Sequence, residues 1–359
     1  QIIEIGTYDY DPRPVADRLG YKLFPFDPAN VETSLSRYHR QRFGERYRRN
    51  LEDAHNISVM LYATATSINL DVDKHFVTDV TVNTLAGNHF TVRAKFFVLA
   101  TGGIENARLL LLSNSDMPTG LGNQNDLVGR FFQEHIWYKS GFILPIDQNA
   151  ETAALYRNEI PFEEKYAVRC HLVLPEAKVR ELRIPEYRVE LNITHSLDYF
   201  SSVVSARNIK KIVKSFDLDE ISATDILNVI SDPMPPIASI LGDDPPLVYG
   251  FSNYVEQVPN PDSRVTLSNQ VDALGQRRAM LNWQISSLDK EGVMRSQHVI
   301  AHEVGRQGIG RMNIFFPEED AIMESAVGGY HHMGTTRMHS DPKQGVVDSD
   351  SRIHGLENI

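Results

Sequence analysis

The stretch Tyr330-His331-His332-Met333-Gly334-Thr335-Thr336-Arg337-Met338 is the most informative part of this sequence of 359 residues. It places a histidine three residues ahead of a Gly-Thr pair, where a turn is expected. The unperturbed pKa of imidazole lies near neutrality, so a histidine held in such a turn is suited to proton transfer. His331 is therefore the residue that we predict to act as a catalytic base.

Composition and charge narrow the class of protein. The length predicts about two domains, and 42% hydrophobic with 23% charged residues is typical of a globular protein. A net charge of −11 and a pI near 5.6 argue against nucleic acid and anionic membranes as partners. The longest apolar run is far shorter than the roughly 18 residues that cross a bilayer, so no transmembrane segment is predicted. The compartment stays open.

The sequence contains one cysteine, Cys170. A single cysteine excludes an internal disulfide, a four-cysteine zinc site and a paired-cysteine redox centre. Cys170 lies in residues 167–173, which have the pattern of a strand. We therefore predict a buried, unreactive thiol.

Residues 57–100 have the pattern of a series of strands. Residues 57–62, 77–82 and 90–95 alternate at period two, and residues 96–100 are continuously apolar, which is typical of a strand covered on both faces. Gly102-Gly103 then precedes a predicted helix at 104–112. A strand, a glycine pair and a helix can direct free N–H groups at an anion, although a plain connection between two elements has the same pattern.

The two flanking regions have a different character. Residues 1–50 look irregular, and the basic, aromatic run at 37–49 has the pattern of a solvated helix face rather than a nucleic-acid surface, because acidic residues follow it. Residues 131–325 predict a mostly antiparallel sheet with covering helices. Its expected strands are 137–144, 166–174, 187–194, 265–267 and 280–285, and its expected helices are 205–216, 223–230 and 288–311.

Four segments together resemble the glucose–methanol–choline (GMC) family of FAD-dependent oxidoreductases. They are residues 94–111, 125–130, 256–267 and 330–338, in the order in which the family has them. The resemblance implies a fold of the α/β and α+β classes. A partial, Rossmann-like FAD-binding part at 1–130 and 326–359 would be interleaved with a substrate domain at 131–325, built on the large antiparallel sheet.

Two departures from the family pattern bear on completeness. The family has Gly-x-Gly-x-x-Gly on its first strand and helix, and this sequence has no such motif. Gly308-Ile309-Gly310 lacks the third glycine and a preceding strand. The family also continues past Asn358-Ile359 into a flavin-contacting turn and a second catalytic His or Asn. We therefore expect an internal fragment of a longer enzyme.

The resemblance also implies roles for single residues. His331 would be the base, and His332 would pack or hydrogen-bond behind it, while His339 and His354 would be structural or exposed. Residues 126–130 would form a turn that is either structural or positions the chain. The residues implied to contact FAD are Ala65, Thr101, Gly102, Gly103 and Asn358.

The predicted function is oxidation of the CH–OH group of an alcohol, sugar or polyol. His331 would remove the hydroxyl proton, and flavin N5 would accept the hydride. The electron acceptor stays open between oxygen, a quinone and a cytochrome. An alternative is that the chain is a catalytically incomplete fragment that binds no FAD on its own.

Two further classes were weighed and not favoured. A metal site is disfavoured because adjacent histidines do not easily point at one ion and no cysteine or close carboxylate completes the set. A serine hydrolase is disfavoured because residues 250–254 read Gly-Phe-Ser-Asn-Tyr and not Gly-x-Ser-x-Gly.

Overall fold

Alternating stretches of the sequence build a large antiparallel sheet in the computed structural model, which describes residues 10–39, 42–71, 73, 75–163, 166–196, 200–215, 221–232, 245–314 and 326–359. Its strands are β1 (Glu32–His39), β5 (Ile136–Pro145), β6 (Ile160–Phe162), β7 (Tyr166–Val173), β8 (Tyr187–His195), β9 (Leu247–Val255) and β12 (Gly310–Ile314). They follow the order β1-β7-β8-β9-β5-β12, with β6 beside β7, and these pairings are antiparallel.

Strand β8 shows why this sequence forms a sheet with one dry face. Val189 and Leu191 are fully buried, whereas Arg188, Glu190 and Asn192 alternate with them and are half-buried. A strand directs successive side chains to opposite faces, so the apolar set packs on the core and the polar set lies on the other face. The predicted mixed α/β class with a large antiparallel sheet is confirmed.

Helices accompany this sheet, and the last three of them along the chain were predicted from the sequence. Their bounds are α1 (Arg13–Leu19), α4 (Ala154–Arg157), α5 (Glu176–Leu182), α6 (Ser201–Ser215), α7 (Ala223–Ser231) and α8 (Ser287–Arg306), with a 3₁₀ helix at Ala150–Ala153. The longest, α8, buries Val293, Ile300 and Val304. No described helix is long and apolar enough to span a bilayer.

The remaining elements have a core of their own. They are α2 (Phe43–Glu52), α3 (Gly102–Leu112), the antiparallel strands β2 (Thr64–Leu70), β3 (Val77–Asn83) and β4 (His89–Val92), and the hairpin β10 (Arg264–Val271) with β11 (Arg277–Asn282). Leu110, Phe132 and Val265 are buried together in this core with Val346 and Ile353. Strand β13 (Val327–Gly328) belongs to the large sheet, where it pairs with β5.

The chain divides into two compact units, each made of three separate stretches. The sheet unit comprises Gln1–Arg40, Ile136–Val255 and Leu288–Val327, and the histidine unit comprises Gln41–His135, Glu256–Ser287 and Gly328–Ile359. This division differs from the predicted domains in two places. Residues up to 40 belong with the sheet because β1 pairs with β7 over eight residues, and residues 256–287 belong with α3 because their hairpin packs there.

Two of the predicted strands are wrong. Residues 57–62 and 96–100 are not strands, and Leu61, Phe96 and Val98 are 73%, 75% and 86% exposed. An apolar run becomes a strand only where a neighbouring strand completes its hydrogen bonds, and among the described residues none pairs with either segment. The parallel sheet of a Rossmann-like part is likewise not seen in the described chain.

The boundaries of three other predictions also change. Residues 1–50 are not irregular throughout, because they contain α1, β1 and most of α2. Helix α2 buries no residue, which confirms a solvated helix for residues 43–49 of the basic run, whereas residues 37–39 lie in strand β1 and are not helical. Residues 40 and 41 lie outside the described part, as does residue 216 of a predicted helix. The helix expected at 288–311 ends at Arg306, where Gly308 (φ +65°) turns the chain into β12.

Candidate active site

Residues 330–338, which carry His331, are fixed to residues 131–133 of the same unit. Gln133 and Met333 exchange two backbone hydrogen bonds of 3.0 and 3.1 Å. Gly334 has φ +90°, and a Cβ added there would lie 1.9 Å from the Phe131 carbonyl oxygen. Only glycine fits this close approach in the left-handed region. The glycine of the His-x-x-Gly-Thr motif is therefore required by packing.

The threonine of the motif ties the same segment to helix α3. Thr335 is 1% exposed, and its Oγ1 donates a hydrogen bond of 2.5 Å to the Gly103 carbonyl. At Gly103 an added Cβ would lie 2.8 Å from the His332 carbonyl oxygen. Gly103 and His331 were predicted from separate motifs, and the structure brings their segments into direct contact.

Glu134 lies beneath the two adjacent histidines. Its carboxylate is 4% exposed, and its two oxygens lie 2.9 and 3.1 Å from the His331 backbone nitrogen, which donates to them. The Nε2 atom of His332 lies 3.2 Å from Oε2 of the same carboxylate. The prediction that His332 hydrogen-bonds or packs behind His331 agrees with this geometry, since its ring also lies 5.4 Å from the Phe132 ring.

The His331 side chain itself is exposed, and no hydrogen bond to its ring is formed by the described residues. Its nearest aromatic neighbour is the His135 ring, whose centroid lies 5.0 Å away at an interplanar angle of 79°. The Nδ1 atom of His135 lies 3.3 Å from Glu256 Oε1. A carboxylate at one ring nitrogen leaves the other to meet a ligand. The site therefore presents two imidazole rings side by side.

The remaining predicted histidines have structural partners. His354 Nε2 lies 2.8 Å from the His339 carbonyl oxygen, and His339 Nδ1 accepts a hydrogen bond of 2.9 Å from the Asp341 N–H. Both side chains are half-buried and hold the loop that follows the motif. Their predicted structural role agrees with these contacts.

The glycine pair at the start of α3 presents free backbone donors. Thr101 is not free, because its N–H and its hydroxyl both donate to Asn106 Oδ1 at 2.9 and 2.6 Å. Gly102 has φ +89° and is exposed, with nothing within 4 Å of an added Cβ. No acceptor among the described residues bonds the N–H of Gly102 or Gly103. The helix N-terminus thus keeps donors that suit an anion.

Ala65 and Asn358 lie in different surroundings. Ala65 is exposed on β2, opposite Val82. Asn358 is 7% exposed, and its side chain bridges two segments: Oδ1 accepts from the Val77 N–H at 2.8 Å, and Nδ2 donates to the carbonyls of Val77 and Lys95. The Asn358 side chain is therefore committed to holding the chain together.

An apolar groove of about 590 Å³ lies along residues 96–99. Its other wall is formed by residues 350–353 and 357–359, with Leu110, Met338 and Val347. Of the predicted cofactor contacts, Asn358 lines the groove, whereas Ala65, Thr101 and the glycine pair do not. Its volume lies within the roughly 300–1,000 Å³ that ligand pockets occupy.

The structure also bears on the disfavoured classes. Among the described residues, no three His, Cys, Asp or Glu side chains are placed to hold a metal ion. Ser252 is 3% exposed within β9, where its hydroxyl accepts a hydrogen bond from Asn192. Asp126 pairs with Arg264 and Arg130, and these hydrogen bonds lower the pKa of its carboxyl, which supports a structural turn at 126–130.

Comparisons with known proteins show a similarity for part of this site. Residues 259–359 match the family model described as GMC oxidoreductase, C-terminal. This segment, called the GMC segment from here on, is similar to that family. It includes the motif with His331, the hairpin β10–β11 and one wall of the groove. A search of curated protein sequences finds no match to the chain.

Several solved structures align with a larger share of the chain. Pyridoxine 4-oxidase from Mesorbium loti is 16% identical with a TM-score of 0.43, and covers 82% of this chain and 50% of its own. A formate oxidase is 17% identical at 0.44 (85% and 55%), and an FAD-dependent oxidoreductase from Chaetomium thermophilum is 15% identical at 0.46 (86% and 57%). The chain thus spans about half the length of these structures.

Sequence reasoning missed the residues around the GMC segment's histidine. Glu134 and His135 lie four and five residues after segment 125–130, and Glu256 with Gln257 opens another segment, yet no role was assigned to them. The available signal was an acidic residue beside a histidine in an otherwise apolar stretch, since a buried carboxylate needs partners.

Proposed function

We propose that the chain is part of an FAD-dependent oxidoreductase that oxidises the CH–OH group of an alcohol, sugar or polyol, with His331 as the base. The observation that carries the proposal is the state of His331 within the GMC segment. Its backbone N–H is held by Glu134, and Met333 two residues on is bridged to Gln133, while the His331 imidazole is exposed and has no bonding partner among the described residues. A base needs this combination of a fixed origin and a free nitrogen.

The chain's residues would divide the work as follows. A ring nitrogen of His331 accepts the hydroxyl proton of the substrate, and the neighbouring His135 ring offers a second nitrogen to orient that hydroxyl. The Gly102 and Gly103 N–H groups suit a pyrophosphate, and the apolar groove suits the less polar parts of a dinucleotide. FAD, when bound, supplies the hydride acceptor. The final electron acceptor stays open between oxygen, a quinone and a cytochrome.

Flavin reduction tests the base assignment. In FAD-loaded protein that contains this chain, His331→Ala should slow reduction of the flavin by an alcohol substrate by at least about tenfold. His298→Ala is the matched control, because His298 is exposed on α8. An unchanged rate in the His331 variant, with the control equally active, would remove His331 from the base role.

A second candidate is that the chain alone binds no FAD. It is favoured by the absence of Gly-x-Gly-x-x-Gly from the sequence and by the exposure of Phe96 and Val98 beside the groove. Titration of FAD fluorescence with the chain as it stands separates the two. We expect weak or no quenching, and tight stoichiometric binding would eliminate this candidate.

A further inference from the structure

We propose that Glu134 is the positioning residue of the site: its buried carboxylate fixes the main chain that carries His331 and the side chain of His332. The inference rests on the proposed function only for the consequence in catalysis. The positioning itself can be measured without cofactor or substrate.

The Glu134 carboxylate contacts two successive residues, His331 and His332, and also its own neighbour His135. Both oxygens of Glu134 face the backbone N–H of His331, and Oε2 also faces the imidazole of His332. Oε1 accepts the N–H of His135 at 2.8 Å as well. One side chain therefore links the His331 backbone to the adjacent His135, whose ring faces that of His331.

The backbone just before His331 requires such an anchor. Tyr330 has φ +63°, in the left-handed region that residues other than glycine rarely adopt, and its side chain is 87% exposed. Strain of this kind persists where surrounding contacts hold it. The contact that holds Tyr330 here is the hydrogen bond that the N–H of the next residue, His331, donates to the Glu134 carboxylate. Gly328 supports it, since a Cβ there would lie 2.9 Å from Glu134 Cγ.

A second layer fixes Glu134 in turn. Its backbone N–H donates to Gln257 Oε1 at 3.1 Å, and the same oxygen accepts the Trp283 indole N–H at 2.6 Å. Gln257 is 6% exposed, and its Nε2 donates to the Gln284 carbonyl at 3.1 Å. The carboxylate is thus attached to a rigid, satisfied network, which is the condition under which one group can place another.

The choice of a carboxylate has a physical reason. Every group that faces these oxygens is a nitrogen able to donate, and a carboxylate is an acceptor at both oxygens. No lysine or arginine of the described chain lies within ion-pair distance of Glu134, so its charge is not committed to a surface partner. A glutamine of the same shape accepts at one end only and presents a donor at the other.

Amide exchange tests the positioning in the chain itself. We expect the His331 N–H to exchange at least about tenfold faster in Glu134→Gln and in Glu134→Ala than in the parent, while amides of β10 keep their rates. Glu303→Gln is the matched control, because Glu303 is also buried but bonds Arg306 in the sheet unit. Unchanged His331 exchange in a folded Glu134→Gln protein would overturn the proposal.

A double-mutant cycle tests the consequence in FAD-loaded protein. Glu134→Gln should lower the rate constant of flavin reduction about tenfold or more and leave the apparent substrate dissociation constant unchanged. In the His331→Ala background the same substitution should have no further effect, because Glu134 acts through His331. Equal effects in both backgrounds would overturn positioning. If His331→Ala alone has no effect, the base assignment fails, while the exchange result still decides the role of Glu134.

Discussion

Two histidines in the two units have opposite surroundings. His171 of the sheet unit is fully buried, and burial, with Arg188 and Arg169 nearby, lowers its pKa to about 2. Arg188 Nη2 donates to its Nε2 at 2.6 Å. His331 of the histidine unit is exposed and bonds no described residue through its ring. His171 is a neutral structural acceptor, whereas the His331 ring has no such partner among the described residues.

The difference shows that histidine content alone does not locate a site. Both residues have a carboxylate close by. Glu190 Oε1 lies 3.6 Å from the ring atom Nδ1 of His171, and Glu134 Oε1 accepts the backbone N–H of His331. What differs is which part is bound. In the sheet unit the imidazole of His171 is bonded by Arg188. In the histidine unit Glu134 bonds the backbone of His331, and the His331 ring bonds no described residue.

The largest expected effect tests whether His331 acts in the reaction and not, as His171 does, in stability. His331→Ala should reduce the rate of flavin reduction by about 10²–10⁴-fold in FAD-loaded protein, with the midpoint of denaturant unfolding unchanged. The loss would be kinetic, because the exposed ring contributes little to stability. Stopped-flow absorbance and urea titration measure the two quantities on one sample. A large shift of the unfolding midpoint with an unchanged rate of flavin reduction would mean that His331 is a structural residue and not the base.

The next effect tests the turn that carries His331. Gly334→Ala should destabilise the protein by about 3 kcal/mol, since a Cβ meets the Phe131 carbonyl and the residue must keep a positive φ. Gly275→Ala is the control, because Gly275 also has a positive φ but open space around an added Cβ. Chemical denaturation should show the larger loss at Gly334. Equal losses would mean that the clash at Phe131 is absent.

A local period of two predicted most of the strands, although residues 57–62 alternate in the same way and are not a strand. The alternation at 187–194 became β8 and that at 77–82 became β3, because period two specifies both a strand and its buried face. The continuous apolar run at 96–100 carried no such information. It indicated burial but not a partner, and Phe96 and Val98 are exposed.

The candidate site was predictable only in part, for a similar reason. The motif at 330–338 made His331 the candidate base, because the spacing of that motif is local in the sequence. Glu134 was missed because its bond to the His331 N–H joins residues 197 positions apart in the sequence. A buried carboxylate is recognised by what it bonds, and that depends on the fold.

A smaller effect tests the bound histidine. His171→Leu removes the acceptor of the Arg188 hydrogen bond while keeping an apolar volume of similar size, so we expect a loss of about 1–2 kcal/mol in stability. The rate of flavin reduction should not change beyond the effect of lower stability. Thermal unfolding combined with the rate assay measures both. A rate loss as large as that of His331→Ala, in a folded variant, would assign His171 a role in the reaction.

The smallest effect concerns how the free energy of unfolding changes at acid pH, through Glu303 of the sheet unit. Hydrogen bonds from Arg306 lower the pKa of the Glu303 carboxyl from 4.5 to about 2. A carboxyl whose pKa is lower in the folded state contributes stability above pH 4.5, and this contribution is lost as the pH falls from there towards 2. Arg306 is 44% exposed, so solvent screens the pair and Glu303→Gln should cost no more than about 1 kcal/mol at neutral pH. The variant should unfold with a shallower dependence on pH than the parent between these limits. An identical slope would show that the Glu303 carboxyl titrates alike in the folded and unfolded chains.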